Sequence, residues 1–102
     1  MSTQADIKKL FNKARRILKH PGLDLLVAPT TEAVSQLIII TPGRIGTAVA
    51  RNTVRRRIKA IFYEGKLAQG YDCVIVVKKL GTTLSHQALK QLLTQALEQH
   101  SS

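Results

Sequence analysis

Residues 46–59 of the chain read GTAVARNTVRRRIK and carry its most informative pattern. From here to residue 62, apolar residues recur at helical spacing and, at about 100° per residue, share one side of a helix. They are Ala50, Val54, Ile58, Ile61 and Phe62. A separate arc holds Arg51, Asn52, Arg55, Arg56 and Lys59. The pattern predicts a helix over residues 48–63, with an apolar side for the core and a basic side for a partner.

The remaining chain predicts one α+β unit around this helix. Apolar spacing indicates a first helix from Ile7 to Leu18, ended by Pro21 and Gly22. Alternating or β-branched runs predict strands over residues 23–28, 34–41 and 71–78. A last helix follows Thr83 or Ser85, either of which is a suitable N-cap.

Composition limits the class of protein. The chain has 102 residues, of which 44% are hydrophobic, so we expect a single folded domain over residues 1–102 rather than disorder. Its apolar runs are too short to span a membrane. Because no apolar signal segment is visible near the N-terminus, we expect a cytoplasmic location. The single cysteine, Cys73, excludes an internal disulfide and a cysteine metal cluster.

The positive charge is concentrated in two segments. The formal net charge is +10, from 16 Lys and Arg against 6 Asp and Glu. Residues 1–20 carry +5 and residues 44–59 carry +6 with no acid, so the rest of the chain is close to neutral. Two basic blocks predict a polyanionic partner. Nucleic acid is the first candidate and an anionic membrane surface the second.

The central motif resembles a known family. Residues 46–59 are similar to the signature helix of the bacterial ribonuclease P protein component, whose pattern is roughly G-x-A-V-x-R-N-x-x-K/R-R-x-x-R. Residues 70–76, GYDCVIV, resemble a strand of that family at about the right distance downstream. Phe11 stands in a basic first helix, where the family usually has a phenylalanine.

The resemblance implies a small single domain of α+β class with the order α-β-β-β-α-β-α. It is a ribosomal-protein-like two-layer sandwich in which a left-handed crossover carries the basic helix, against the usual hand. This order has one strand more than the apolar spacing predicts. We place that strand at residues 16–20 and expect the first helix to end near Ala14 or Arg15.

The resemblance also implies a function: protein subunit of ribonuclease P, the ribonucleoprotein endonuclease that removes the 5′ leader from precursor tRNA. The RNA subunit would be the catalyst and would hold Mg²⁺, so no catalytic residue, metal site or cofactor is expected on the protein. The acidic residues fit this division, because they are scattered rather than paired as a metal-dependent nuclease needs. No membrane or DNA partner is expected.

Two RNA-binding sets follow from the resemblance. Residues expected to bind the RNA subunit are Arg44, Arg51, Asn52, Arg55, Arg56 and Lys59. Residues expected to bind the single-stranded leader, in a cleft between the first helix and the sheet, are Lys8, Phe11, Lys13, Arg15 and Arg16. For Phe11, packing in the core is as good an interpretation as stacking on a base.

Several positions depart from the family pattern, among them Thr53, Ala60 and Tyr63. The alternative function is a noncatalytic RNA-binding module such as a ribosomal or ribosome-associated protein. A nuclease that acts without an RNA subunit is disfavoured by the scattered carboxylates.

Overall fold

The computed structural model describes residues 14–29, 36–65 and 70–101. The strands are β1 (Arg15–Lys19), β2 (Leu23–Pro29), β3 (Leu37–Ile40) and β4 (Tyr71–Val77). The helices are α1 (Ala48–Gly65) and α2 (His86–Ser101), and each is preceded by a short 3₁₀ segment, η1 (Gly43–Ile45) and η2 (Lys79–Thr83). The predicted first helix, up to residue 13, lies outside the described residues.

The four strands form one mixed sheet in the order β1-β2-β4-β3. The β1–β2 and β2–β4 pairs are antiparallel, whereas β3 and β4 are parallel, with Leu37 opposite Cys73. A parallel pair needs a long crossover connection, and α1 lies within it. The predicted α+β class is thereby confirmed, and the left hand of the crossover stays a prediction.

One face of the sheet packs against both helices. Strand residues such as Leu25 and Ile75 form a single apolar cluster with Ile58 of α1 and Leu93 of α2. The opposite face carries a smaller cluster, in which Val74 is buried. The helices and the sheet therefore form two layers, and α1 presents its other side away from the core.

The apolar spacing is wrong about residues 15–18, which it assigns to the first helix. They belong to β1, which begins and ends one residue before the strand that the family resemblance implied at residues 16–20. It pairs with β2 from Arg15 opposite Val27 to Lys19 opposite Asp24. The register shifts between Arg16 and Leu18, which marks a β-bulge. Because of this shift, the consecutive residues Ile17 and Leu18 both pack against the core. Two consecutive side chains that both point to the core are common in a helix and rare in a regular strand. The bulge therefore gives this segment an apolar spacing like that of a helix.

Two glycines lie where the turn between β1 and β2 contacts the segment after β4. The amide of Lys78 donates to the carbonyl oxygen of Gly22 at 2.9 Å, next to the turn in which the amide of Gly22 donates to Nδ1 of His20 at the same distance. A Cβ on Gly81 would clash with the Gly22 carbonyl oxygen. The two backbone segments approach each other closely because neither residue has a side chain.

Candidate nucleic-acid interface

The N-terminus of α1 is fixed by a threonine immediately before it. Thr47 Oγ1 accepts a hydrogen bond from the amide of Ala50 at 3.1 Å, and the Thr47 carbonyl accepts one from the amide of Arg51. This is the pairing expected of an N-cap. The predicted start at residue 48 is confirmed, and the helix continues two residues beyond the predicted end, to Gly65.

The two sides of α1 separate as predicted. Val54, Ile58, Ile61 and Phe62 are buried in the core. Asn52, Arg56 and Lys59 are exposed, whereas Arg51 and Arg55 are half-buried at the border of the apolar side. We call the set Arg51, Asn52, Arg55, Arg56 and Lys59 the basic face of α1.

Hydrogen bonds hold two arginines of α1 in place on either side of Arg56. Arg55 Nη1 donates to Thr41 Oγ1 at 3.1 Å, just after β3. Arg57 Nη1 donates to the carbonyl oxygen of Leu84 at 2.8 Å, just before α2. Arg51 Nε is buried and has no hydrogen-bond partner, so packing alone holds that part of the side chain. Arg56 is left as the exposed arginine between the two tethered ones.

No cation of the basic face forms an ion pair with an acidic residue of the described segments. The two ion pairs recorded there both use Asp24, which lies on β2. The charge of α1 is therefore not neutralised within this part of the protein. Closely spaced like charges on one helix repel one another, and an external polyanion would relieve that repulsion.

Arg44 lies apart from the helix, in η1, and is exposed. The 3₁₀ segment contacts α1, and its Ile45 is buried in the common core. Arg44 is thus held close to the start of α1, from which residues 45–47 separate it along the chain. All six residues predicted to bind the RNA subunit belong to this η1–α1 unit.

The predicted leader-binding residues are only partly within the described chain. Lys8, Phe11 and Lys13 lie outside it. Arg15 and Arg16 are exposed on the edge strand β1 rather than on a helix. Because Arg15 is opposite Val27 and Arg16 is opposite Leu26, the two side chains point to different faces of the sheet.

Arg16 is coupled to a carboxylate on the next strand. Arg16 Nη1 lies 3.5 Å from Asp24 Oδ2, and Lys78 Nζ lies 3.0 Å from Asp24 Oδ1. The Lys78 ammonium donates a hydrogen bond to the carbonyl oxygen of His20 at 3.1 Å. Asp24 Oδ1 accepts no aligned hydrogen bond, so its contact with Lys78 is an ion pair only. Asp24 thus joins two cations at one end of the sheet.

A groove runs between β1 and the C-terminal end of α2. It has a volume of about 310 Å³ and is lined by Arg15, Arg16, Ile17, Ala96, Gln99 and His100. The His100 ring also meets the ring of Tyr71 edge-on, with centroids 5.2 Å apart. Arg15 is on the helix-bearing face, as is Val27 opposite it, so its side chain supplies the positive charge of this groove. A cationic groove that also presents an imidazole has the chemistry to accept a nucleic-acid backbone.

The described residues contain neither a group of three potential metal ligands nor a helix long and apolar enough to cross a membrane. The one cysteine, Cys73, is buried, and this burial, with a smaller contribution from the Asp72 carboxylate, raises the pKa of its thiol to about 12. Cys73 is therefore a protonated core residue at neutral pH, as expected of a buried free cysteine.

Sequence reasoning missed three contributions to these surfaces. Arg57 is not part of the basic arc that the sequence predicts, yet it ties α1 to the segment before α2. Lys78 reaches Asp24 from 54 positions away, and His100 reaches Tyr71 across the fold. Each contact joins residues that are distant in sequence, so periodicity along the chain contains no sign of it.

The family model and the related sequences that match this chain indicate the same family. A sequence model of the Ribonuclease P family matches residues 1–101. The chain is 31% identical over 80 residues to the ribonuclease P protein component of Roseiflexus sp., covering 74% of this chain and 65% of the relative. It is 28% identical over 76 residues to that of Petrotoga mobilis, covering 72% and 64%. It is 36% identical over 56 residues to that of Streptococcus agalactiae, covering 54% and 51%. The matches thus span between about half and two thirds of the length of these relatives.

Solved structures agree on the fold. The structure of the RNase P protein of Staphylococcus aureus superposes with a TM-score of 0.81 at 17% identity, covering 98% of this chain and 93% of that chain. That of Thermotoga maritima also gives 0.81, at 20% identity, covering 97% and 94%. At these identities the likeness is evidence for the fold alone.

Proposed function

The chain belongs to the ribonuclease P protein family, and from this we propose that it is the protein subunit of ribonuclease P. In this role it assists a catalytic RNA in the endonucleolytic removal of the 5′ leader from precursor tRNA. The observation that carries the proposal is the basic face of α1, whose cations have no acidic partner in the described segments. A polyanion that docks on this face supplies the missing negative charge.

The RNA subunit binds the η1–α1 unit in this proposal. Arg44, Arg51, Arg55, Arg56 and Lys59 contact phosphates, and the amide of Asn52 bonds to a sugar or a base edge. The hydrogen bond of Arg55 to Thr41 supports its assignment as a phosphate contact, because a side chain that is already ordered loses less conformational entropy on binding. Neutralised phosphates near the RNA active site also reduce the number of counterions that compete with Mg²⁺.

The precursor tRNA leader contacts the other basic block. Arg15 and Arg16 bind its phosphates along the edge of β1, together with Lys8, Lys13 and the ring of Phe11 from the N-terminal segment. The groove between β1 and α2 supports this assignment, because its volume and cationic lining fit a single-stranded backbone. The two blocks therefore hold two different RNAs.

The chemistry belongs to the RNA subunit in this proposal. Mg²⁺ bound mainly by that RNA activates the water, and the protein contributes no catalytic side chain and binds no cofactor of its own. The protein is an enzyme subunit because it belongs to a ribonucleoprotein endoribonuclease, which acts in the cytoplasm. Its partners are the catalytic RNA and the precursor tRNA, without DNA or a membrane.

Reconstitution tests the function directly. The protein is mixed with ribonuclease P RNA and labelled precursor tRNA at limiting Mg²⁺, and leader removal is compared with that by RNA alone. We expect a large gain in rate and a lower Mg²⁺ requirement when protein is present. RNA binding with no gain in cleavage would instead indicate a plain RNA-binding module. Cleavage by the protein without RNA would indicate an independent nuclease.

A further inference from the structure

A small notch opens beside the basic face of α1, where α1 meets the start of α2. Thr53, Arg56, Arg57 and Ala60 of α1 line one wall, and His86 of α2 lines the other. The notch has a volume of about 220 Å³. It is therefore below the roughly 300–1,000 Å³ typical of sites for drug-sized molecules and suits a single planar ring system.

The lining of the notch combines cations at the rim with a weakly polar floor. Arg56 is exposed and Arg57 is half-buried, and both residues line the notch, so its lining carries two cationic side chains. Ala60 contributes a methyl group, and the Thr53 hydroxyl donates to the carbonyl oxygen of Val49 at 2.8 Å. The notch therefore offers a flat ring weakly polar side chains to contact, and it offers a phosphate the positive charge of two arginines.

Arg57 is already ordered for such a contact. Its Nη1 donates to the Leu84 carbonyl oxygen at 2.8 Å, which uses one of the five N–H donors of a guanidinium. This bond restrains the position of the group, and planar guanidinium groups stack on bases. A side chain held in this way loses little rotamer freedom when a ligand binds.

We propose that the notch holds one unstacked nucleobase of the bound RNA, with its ring between Arg57 and His86 and its phosphate at Arg56. The proposal rests on the proposed function and adds a stacked base to an interface whose cations contact phosphates. Charge complementarity favours RNA as the occupant, because a cationic rim attracts a phosphodiester chain and each of its phosphates carries a base nearby.

Ala60→Leu tests the notch without a change in charge. Leucine is a strong helix former, and its longer side chain occupies the space that the base would fill. We expect roughly tenfold weaker binding to ribonuclease P RNA, because loss of one stacked base usually costs between several-fold and about a hundredfold. The slope of log affinity against log salt should stay unchanged, because no phosphate contact is lost.

Two controls make the result specific. Ala60→Ser keeps the notch open and should bind RNA within about twofold of the wild type, since its side chain is only one oxygen larger. Inorganic polyphosphate has phosphates but no bases, so Ala60→Leu should bind it as tightly as the wild type. Thermal unfolding of both variants checks that α1 is intact.

The outcomes separate this proposal from the function on which it rests. Wild-type affinity of Ala60→Leu for RNA would overturn the proposed nucleobase site. An equal loss of affinity for RNA and for polyphosphate would also overturn it. The double variant Arg55→Ala with Arg56→Ala, assayed in parallel, should flatten the salt dependence whether or not the notch holds a base. If neither the notch variant nor the double variant changes binding, the proposed RNA-binding role of α1 itself is wrong.

Discussion

Arg57 Nη1 donates a hydrogen bond to the carbonyl oxygen of Leu84 at 2.8 Å, which ties α1 to the segment before α2. Its chain neighbour Arg56 is exposed and has no such tether in the described structure. Two consecutive arginines thus have different environments, although the sequence presents them as equivalent cations. Both line the notch, but Arg57 also makes a structural contact between elements, whereas Arg56 belongs to the basic face.

These environments predict a larger loss of stability for Arg57→Ala than for Arg56→Ala. Arg57→Ala removes a half-buried bond between a charged group and a carbonyl, so we expect the free energy of unfolding to fall by about 1–2 kcal/mol. Arg56→Ala should change it by no more than about 0.5 kcal/mol, as is usual for exposed positions. Urea unfolding followed by circular dichroism measures both. Equal losses for the two variants would contradict the structural role assigned to Arg57.

Asp24 is predicted to stabilise the end of the sheet by pairing with Arg16 and Lys78. Its side chain is only 14% exposed, but both partners are partly solvated, so the pairs are screened. We expect Asp24→Asn to lower the free energy of unfolding by about 1 kcal/mol. Glu64→Gln, at an exposed position near the end of α1, removes the same charge and should have little effect. An equally large fall in the free energy of unfolding for Glu64→Gln would mean that the change in net charge, and not the loss of the ion pairs, destabilises Asp24→Asn.

The close approach of Gly22 and Gly81 gives a steric prediction. Because a Cβ on Gly81 meets the backbone oxygen of Gly22, Gly81→Ala forces the two segments apart and should cost about 1–3 kcal/mol. Gly43→Ala is a matched control, since a Cβ there has no atom within 4 Å. Thermal unfolding compares the two variants. An unchanged melting temperature for Gly81→Ala would show that the backbones separate freely.

Cys73 is predicted to resist thiol reagents in the folded protein. Burial, followed by the Asp72 carboxylate, raises the pKa of its thiol from 9.0 to about 12, and the thiolate is the reactive form. At pH 8 we expect no modification of the native protein and complete modification after denaturation. Rapid labelling of the native protein would contradict the buried position.

The same shift in the pKa of Cys73 makes stability depend on pH. Between pH 9 and pH 12 the native thiol keeps a proton that the unfolded chain has lost, so the free energy of unfolding falls as the pH rises. This contribution is complete below pH 9. The advantage of the wild type over Cys73→Ala should therefore shrink in alkaline solution, as urea titrations at several pH values would show. A constant difference would place the thiol outside the core.

Much of the fold follows from local pattern. The separation of the apolar and basic sides of α1, its start after Thr47, and strands β2 and β4 all depend on spacing within a few residues, which the sequence displays. Strand β1 does not, because its bulge turns Ile17 and Leu18 inward together and so resembles one turn of helix. Only the resemblance to a family indicated a strand there.

The candidate site also has one part that local sequence pattern indicates and one part that depends on packing between elements. The basic face could be read from the sequence, because its residues lie within nine positions of one another on one helix. The tether of Arg57, the pairing of Asp24 with Lys78, and the notch wall formed by His86 depend on packing between elements. Ala60 and His86 are 26 positions apart, and only the packing of α2 beside α1 brings them to one cavity.

The central claim is that the basic face of α1 binds the phosphates of the ribonuclease P RNA. The most direct test is the dependence of RNA affinity on salt for Arg55→Ala with Arg56→Ala, compared with Lys19→Ala with Lys90→Ala. The control removes the same charge from exposed positions on β1 and α2. We predict that the first variant reduces the slope of log affinity against log salt by roughly one to two units, because two phosphate contacts are lost, and that the control leaves it near the wild-type value. An unchanged slope for the α1 variant, or an equal reduction for the control, would contradict the claim.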